Sequence, residues 1–354
     1  MPSRKTQTAS PATPALASTG VAGLDEILDG GLPLHRLYLL DGSPGTGKTT
    51  LALQFLLAGV ARQERGLYVT LSESRDELST VAVSHGWTID DIDVVELSPN
   101  TAGESDEAYT LFEPAEVELQ QTMDRVLSSV EQADARLVVL DSLSEMRLLA
   151  RDPLRFRRQI LALKQFFAGR KCTVLLLDDK TAPEGDLQLH SLAHGVIELE
   201  HLALEYGAER RRLQVRKLRG RRFSGGYHDF RIRTGGLAVY PRIAHFGAAR
   251  DFATYQVPSG SAQLDTLLGG GVQRGTSVLV TGPAGTGKSV LSTQFACASA
   301  SLARRVRFYL FDERLSTFTL RADGLGMDIA AQVADRRITL CQVEPTELSP
   351  GEFA

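Results

Sequence analysis

The sequence is written twice. Slid along itself by the offset that carries Leu24 onto Leu264, the chain also brings Asp25 onto Asp265 and Gly30-Gly31 onto Gly270-Gly271. In that one register Gly42-Ser-Pro-Gly-Thr-Gly-Lys-Thr49 meets Gly282-Pro-Ala-Gly-Thr-Gly-Lys-Ser289, Gln54-Phe55 meets Gln294-Phe295, Glu73 meets Glu313, and Gly86 meets Gly326, without a gap. Self-similarity at a fixed offset marks a tandem duplication of one domain. Whatever fold the first copy takes, the second must be able to start it again.

The copies differ in length. The first is expected to occupy residues 18–247 and the second residues 248–354, after a Ser/Thr/Pro/Ala-rich tail, 1–17, expected to be disordered. The second copy is expected to be incomplete. Ser349-Pro350-Gly351-Glu352 reads as a helix start, with Ser at the cap, Pro in the first turn and Glu three residues after the cap, just where the chain stops. The 354 residues therefore read as part of a longer chain. The second copy alone is expected to be poorly stable, an open half-sheet with unpaired edges and exposed apolar faces.

Apolar runs alternating with helical periodicity define the fold class. Leu37–Leu40 is an apolar run closed by Asp-Gly, Lys48–Ala61 a largely apolar helix, and Gly66–Leu71 a strand. Val117–Val130 has helical spacing, and Arg136–Leu140 and Cys172–Leu177 are nearly continuous apolar strands. This is the pattern of an α/β fold: a mostly parallel sheet sandwiched by helices. From Leu202 to Tyr240 polar and apolar residues alternate around turn glycines, as in antiparallel edge strands.

The repeated loop carries the chemistry. Gly-x-x-x-x-Gly-Lys-Thr between a strand and a helix is a phosphate-binding loop: its glycines let backbone N–H groups turn inward, and the helix N-terminus adds its dipole. In the first copy this assigns Gly42, Ser43, Pro44, Gly45, Thr46, Gly47, Lys48, Thr49 and Thr50 to a nucleoside triphosphate, read as ATP, with Lys48 at the β- and γ-phosphates and the Thr49 hydroxyl on Mg²⁺. In the second copy it assigns Gly282, Gly285, Thr286, Gly287, Lys288, Ser289 and Val290 in the same way, with Ser289 the metal-side hydroxyl. Asp141, closing the apolar strand Leu137–Leu140, is the expected second metal-holding acid. Glu73, at the end of the strand after the loop helix, is placed to orient and deprotonate water, and recurs as Glu313. The second copy has no such metal-holding acid after its apolar strand, so weak nucleotide binding without turnover is expected there.

The chain carries a formal charge of -4, which argues against general nucleic-acid binding. One stretch runs the other way: Arg210-Arg-Arg-Leu-Gln-Val-Arg-Lys-Leu-Arg-Gly-Arg-Arg222. From the residues alone it could be a solvated edge strand, a nucleic-acid contact, or a source of cations for a neighbouring subunit's phosphate. Strand alternation would put Leu213 and Val215 on one face with Lys217 and Arg219. His190, His194, Glu198 and His201 complete no metal motif. Three scattered cysteines, Cys172, Cys297 and Cys341, read as buried thiols. No apolar run is long enough for a membrane span and no signal-peptide core is present, so a cytoplasmic location is expected.

Taken together, Ser18-Thr-Gly-Val-Ala-Gly-Leu-Asp25 with Gly30-Gly31-Leu32-Pro33, the loop, Tyr68-Val-Thr-Leu-Ser-Glu73, Asp141-Ser142 and Val215-Arg-Lys-Leu-Arg-Gly220 resemble the KaiC family of RecA-like ATPases. The resemblance implies a RecA-like P-loop fold in tandem and a homo-oligomer, a hexameric ring, with ATP bound between subunits. It also implies that Lys217 and Arg219 reach the adjacent subunit's ATP, and that a signalling or timing role is served through an unidentified protein partner. The family pattern has paired acids after the second strand. The first copy has Ser72-Glu73 and keeps one; the second has Asp312-Glu313 and keeps both. The segment that would carry serine/threonine autokinase activity lies outside this chain. A recombination ATPase with the arginine stretch on DNA is the alternative.

Overall fold

Four short segments are apolar nearly throughout, the pattern of strands covered on both faces. In the computed structural model, which describes residues 15–97, 114–180, 188–205, 207–242, 254–302 and 304–353, they form the centre of one sheet. The chain divides into two compact units. One takes in the chain up to residue 205, residues 209–244 and the segment from 349; the other takes in residues 206–208 and 245–348.

The first unit opens with a two-residue antiparallel pair, β1 (Leu16–Ala17) with β2 (Leu32–Pro33), around α1 (Ala22–Ile27). Strands and helices then alternate: β3 (Leu37–Gly42), α2 (Lys48–Val60), β4 (Gly66–Thr70), α3 (Arg75–Ser84), β5 (Ile92–Glu96), α4 (Pro114–Ala133) and β6 (Leu137–Asp141). After these come α5 (Leu143–Ala150), α6 (Pro153–Arg170), β7 (Thr173–Asp178), α7 (Gln188–Leu192) and β8 (Gly195–Leu202). Last are β9 (Arg210–Leu218), β10 (Tyr227–Arg233) and β11 (Gly236–Tyr240). The nine strands lie in the order β11-β10-β9-β8-β3-β7-β6-β4-β5. From β8 to β5 every neighbour is parallel, and from β8 to β11 every neighbour is antiparallel.

Every residue of β3, β4, β6 and β7 is buried. Leu40, Tyr68, Val139, Leu175 and Ile197 face a layer that includes Leu24 of α1 and Leu51 and Phe55 of α2. Leu39, Val69, Leu140, Leu176 and Val196 face Val126 of α4, Met146 of α5 and Ile160 of α6. The helices start where local chemistry dictates. Ser74 accepts from Glu77 N while the Glu77 side chain accepts from Ser74 N, a capping box that starts α3. Asp152 accepts from Leu154 N and Arg155 N ahead of Pro153, which starts α6.

Strand β9 departs from simple alternation. Ile197 pairs with Val215 but Val196 pairs with Lys217, so Arg216 is an extra residue in a β-bulge. One inserted residue flips every side chain beyond it. Leu213, Val215 and Leu218 therefore share the α2-side core, while Lys217, opposite Val196, lies on the other face. The alternation expected to group Lys217 and Arg219 with Leu213 and Val215 is broken by this bulge.

The second unit contains β12 (Gln256–Val257) paired with β13 (Val272–Gln273) around α8 (Ala262–Leu267), then α9 (Lys288–Ser301), β14 (Val306–Leu310), α10 (Leu315–Gly324), α11 (Ile329–Ala334) and β15 (Ile338–Gln342). β14 and β15 form a parallel pair. The segment matching β3 forms no strand, and Val278, Leu279 and Val280 are 61%, 86% and 42% exposed. The reason is topological. In the first unit β3 is held between β7 and β8, and among the described residues of the second unit no strand pairs with the matching segment. An apolar groove of ≈ 540 Å³ is left against α9, lined by Leu264, Val278, Val280, Phe295 and Phe308. The expected start at Ser349 appears as α12 (Pro350–Phe353), which groups with the first unit, Gly351 N donating to Asp229 Oδ2 at 2.8 Å. Of the cysteines, all free, only Cys172 is fully buried; Cys297, packed against the second unit's core, and Cys341 are half-buried.

Candidate active site

Parallel strands deliver their C-terminal ends to one edge of the sheet, and the loops that leave them carry the site. Gly42 ends β3, Thr70 ends β4, Asp141 ends β6 and Asp178 ends β7. Around these ends the chain brings Lys48, Thr49, Glu73 and Asp141 together, residues separated by up to 93 positions in sequence.

The loop from Gly42 to Gly47 turns tightly. Thr46 Oγ1 donates to Ser43 O at 2.8 Å. Gly47 caps α2 with φ 98°, the left-handed region, and a Cβ there would come within 2.6 Å of Ile232 Cδ1. No side chain caps α2, so its first-turn N–H groups face the loop without a side-chain partner. Beside Gly45 a Cβ would meet nothing within 4 Å, which is the open side of the cradle. Lys48, only 6% exposed, donates to Gly42 O at 2.6 Å and Ser43 O at 3.1 Å. Thr50 is buried, its hydroxyl 3.4 Å from His85 Nε2.

Asp141 is buried at the head of the cradle. Tyr68 Oη donates to its Oδ2 at 2.5 Å, and the Thr49 hydroxyl lies 3.5 Å from the same oxygen. Burial pushes its carboxyl above the usual range. Glu73 follows β4 by three residues in a turn locked by Thr70: Glu73 N donates to Thr70 Oγ1, and that hydroxyl donates to Glu73 O, both at 2.8 Å. Its Oε2 is buried with no hydrogen-bond partner. Burial first, then the nearby carboxylates of Asp141, Glu77 and Asp179, raise its pKa to about 7, against the pull of Lys48. Donor set, open side and oxygen ligands together fit a nucleotide's phosphates with Mg²⁺: amides and an ammonium for the anion, a hydroxyl and a carboxylate for the cation.

Asp179, Ser144 and Tyr68 escaped the sequence reading. Asp179 Oδ1 pairs with Lys48 Nζ at 2.8 Å, and its Oδ2 accepts from Ser144 Oγ at 2.7 Å. Burial alone would raise its pKa, but the bonds from Lys48 and Ser144 hold it below the usual carboxylate range. Leu175–Leu177 closed by Asp178-Asp179 repeats the pattern that exposed Asp141, an apolar strand ending in acid, and that signal was readable.

Lys217 and Arg219 lie away from these groups, on α7. Lys217 Nζ donates to His190 O, and Arg219 Nη2 donates to Ser191 O at 2.8 Å. The rest of the basic stretch is largely held in ion pairs: Arg212 with Glu200, Arg216 with Glu198, Arg221 with Asp29 and Arg211 with Glu209. The histidines scatter. His190 contacts Asp41 at 3.3 Å, His194 packs edge-on against Tyr38, and His201 contacts Glu209 at 2.8 Å.

The second loop repeats the first in detail. Thr286 Oγ1 donates to Pro283 O at 2.9 Å, Lys288 Nζ reaches Gly282 O at 2.8 Å and Pro283 O at 2.7 Å, and Gly287 caps α9 with φ 89°. Around it, however, Gly282, Gly285 and Ser289 are exposed. Glu313 also differs from Glu73. It is paired with Arg321, which matches Val81 of the first copy, so its carboxylate is already neutralised.

A mostly parallel sheet between helices, with a phosphate-binding loop after its central strand and acids at the ends of the neighbouring strands, defines a RecA-like P-loop ATPase. The family model described as "ATPase: KaiC" matches residues 17–244 and again 257–349. The chain belongs to the KaiC ATPase family. It is 28% identical over 318 residues to the circadian clock oscillator protein KaiC of Parathermosynechococcus lividus, covering 88% of this chain and 58% of the relative. It is 29% identical over 336 residues to the circadian clock protein KaiC2 of Synechocystis sp., covering 93% of this chain and 58% of the relative. The chain thus spans about three fifths of the length of the curated relatives it matches. Among the described residues no helix is long and apolar enough to cross a membrane.

Proposed function

We propose that the first copy binds and hydrolyses Mg-ATP at the interface between subunits of a homo-oligomer, a hexameric ring, and that its slow turnover serves signalling or timing. The observation that carries the catalytic part is the convergence of Lys48, Thr49, Asp141 and Glu73, with one Glu73 oxygen buried and unpartnered. Thr49 and Asp141 would hold the metal, which when bound would supply positive charge to offset that of the phosphates. Lys48 and the first-turn amides of α2 hold the phosphate oxygens. Glu73 accepts the proton of the attacking water.

Lys217 and Arg219 supply cations in trans. What supports this is the kind of partner each has. Arg212, Arg216 and Arg221 are bound to carboxylates, whereas Lys217 and Arg219 rest on neutral carbonyls and can be drawn to a phosphate at lower cost. The same ion pairing leaves little of the stretch for a DNA backbone. A timing or signalling role rests on the names of the relatives, which are clock proteins.

The test is ATP turnover and native mass measured together on the wild type and Arg219→Ala, with and without Mg-ATP. Assembly on Mg-ATP is expected, with turnover lost in the variant while ATP still binds. A protein that stays monomeric and turns over regardless of Arg219 would remove the shared site and reopen the DNA reading.

A pH dependence follows from Glu73. A carboxyl with pKa about 7 is protonated below neutrality and cannot accept a proton there. The kcat/KM of the first copy is therefore expected to rise with pH through a midpoint near neutrality, rather than near 4, and the Glu73→Gln variant should show no such limb. A flat wild-type profile from pH 5.5 to 8.5 would count against Glu73 as the base.

A further inference from the structure

The ammonium of Lys48 has three N–H donors, and three protein oxygens surround it: Gly42 O at 2.6 Å, Ser43 O at 3.1 Å and Asp179 Oδ1 at 2.8 Å. A phosphate oxygen that binds Lys48 must take the place of one of them. The two carbonyls belong to the loop itself, and Lys288 makes the same two contacts in the second copy. They are part of the loop's own geometry. Asp179 is the added partner and, among the described residues, the only acid in an ion pair with Lys48.

We propose that Asp179 is a resident counter-anion of Lys48, occupying the position of a γ-phosphate oxygen, so that ATP must displace it to bind the first copy. The inference rests on the nucleotide reading given above and adds a regulator to it.

Geometry places Asp179 on the γ side of the lysine. Its second oxygen is fastened by Ser144, three residues after the metal-side acid Asp141, and Ser144 is in turn hydrogen-bonded to Ser142. Asp179 thus stands between Lys48 and the strand end that handles the metal, where the terminal phosphate belongs. The other two acids of the site, Asp141 and Glu73, have no ion pair with Lys48. Asp179 can also leave. Its side chain is 26% exposed, against 7% for Lys48, so solvent can take the carboxylate once a phosphate replaces it.

The consequence is selective. A carboxylate that mimics the terminal phosphate opposes ATP more than ADP, because only ATP brings charge to that position. Asp179→Asn keeps the shape and removes the charge. Its affinity for ATP, measured by calorimetry or fluorescent-analogue displacement with Mg²⁺ present, is expected to rise roughly tenfold, which is about 1.4 kcal/mol. Its affinity for ADP should change by less than about twofold. Partial exposure of the pair screens the effect and is why it is not larger. An equal gain for both nucleotides, no gain, or a loss would overturn the proposal; a loss would make Asp179 a support for Lys48 instead. Should Asp179→Asn fail to fold, Asp179→Ser, too short to reach Lys48, carries the same expectation. Wild-type binding that Lys48→Ala removes keeps the nucleotide reading in place whichever way Asp179→Asn moves. No ATP binding by the wild type would sink both.

Discussion

Lys48→Ala is expected to abolish nucleotide binding by the first copy. The lysine is one of the most buried charges in the chain, and its ammonium is held at the mouth of α2 where the phosphates would lie. A hydrogen bond to a charged group contributes about 1.5–3 kcal/mol net. Loss of two such contacts to the phosphates therefore weakens binding by about 100-fold or more. The variant also leaves the half-buried Asp179 near Asp141 and Glu73 without the cation that balanced it. A lower Tm is expected along with the loss of affinity. Lys288→Ala provides the contrast. The second loop is exposed, so the substitution should cost little stability and remove only the weak second site. Equilibrium binding of a fluorescent ATP analogue to both variants checks the pair of statements. Retention of tight binding by Lys48→Ala would remove the first loop from the nucleotide site altogether.

Glu73→Gln is expected to bind ATP as the wild type does and to lose turnover. General-base catalysis by a positioned side chain contributes about 10²–10⁴-fold, so kcat should fall by that range while the nucleotide affinity stays within a few-fold. Glutamine preserves the turn, because the bonds that fix it run through Glu73 N and Glu73 O to the Thr70 hydroxyl and do not involve the carboxyl. The substitution removes a proton acceptor and leaves its scaffold. It also removes one of the acids crowding Asp141, so stability is expected to hold or rise slightly. Single-turnover hydrolysis separates chemistry from product release. A kcat within threefold of the wild type would transfer the role of base elsewhere.

Much of this site was legible before any coordinates, for a physical reason. A loop that wraps a triphosphate needs glycine where φ is positive and a lysine and a hydroxyl at fixed offsets, so its sequence is nearly its structure. Gly47 at φ 98° and Gly45 at φ 78° are cases in point. Asp141 stood out because an acid directly after four apolar residues is unusual in a buried strand, and Glu73 because it recurs in the repeat. Two features were harder. The bulge at Arg216 depends on how β9 registers against β8, a relation between segments that no local pattern records, and it reversed the side on which Lys217 lies. The acids closing Leu175–Leu177 were readable, but the pairing of Asp179 with Lys48, 131 residues away, was not, because only the sheet order brings them together. The fate of Ser277–Val280 was half legible: the run is apolar, and only the absence of flanking strands explains why it forms none.

That sheet order has a consequence for how such a domain is made. β3 is completed by residue 42, yet its two neighbours, β7 and β8, begin at residues 173 and 195. A chain emerging in order from the ribosome exposes the nucleotide loop early and cannot anchor it until some 150 further residues have followed. Contacts this distant in sequence are slow to close, because the loop entropy must be met before they form. The strand that leads into the nucleotide loop is thus among the last to be locked. Ligand binding can reward only the nearly finished domain.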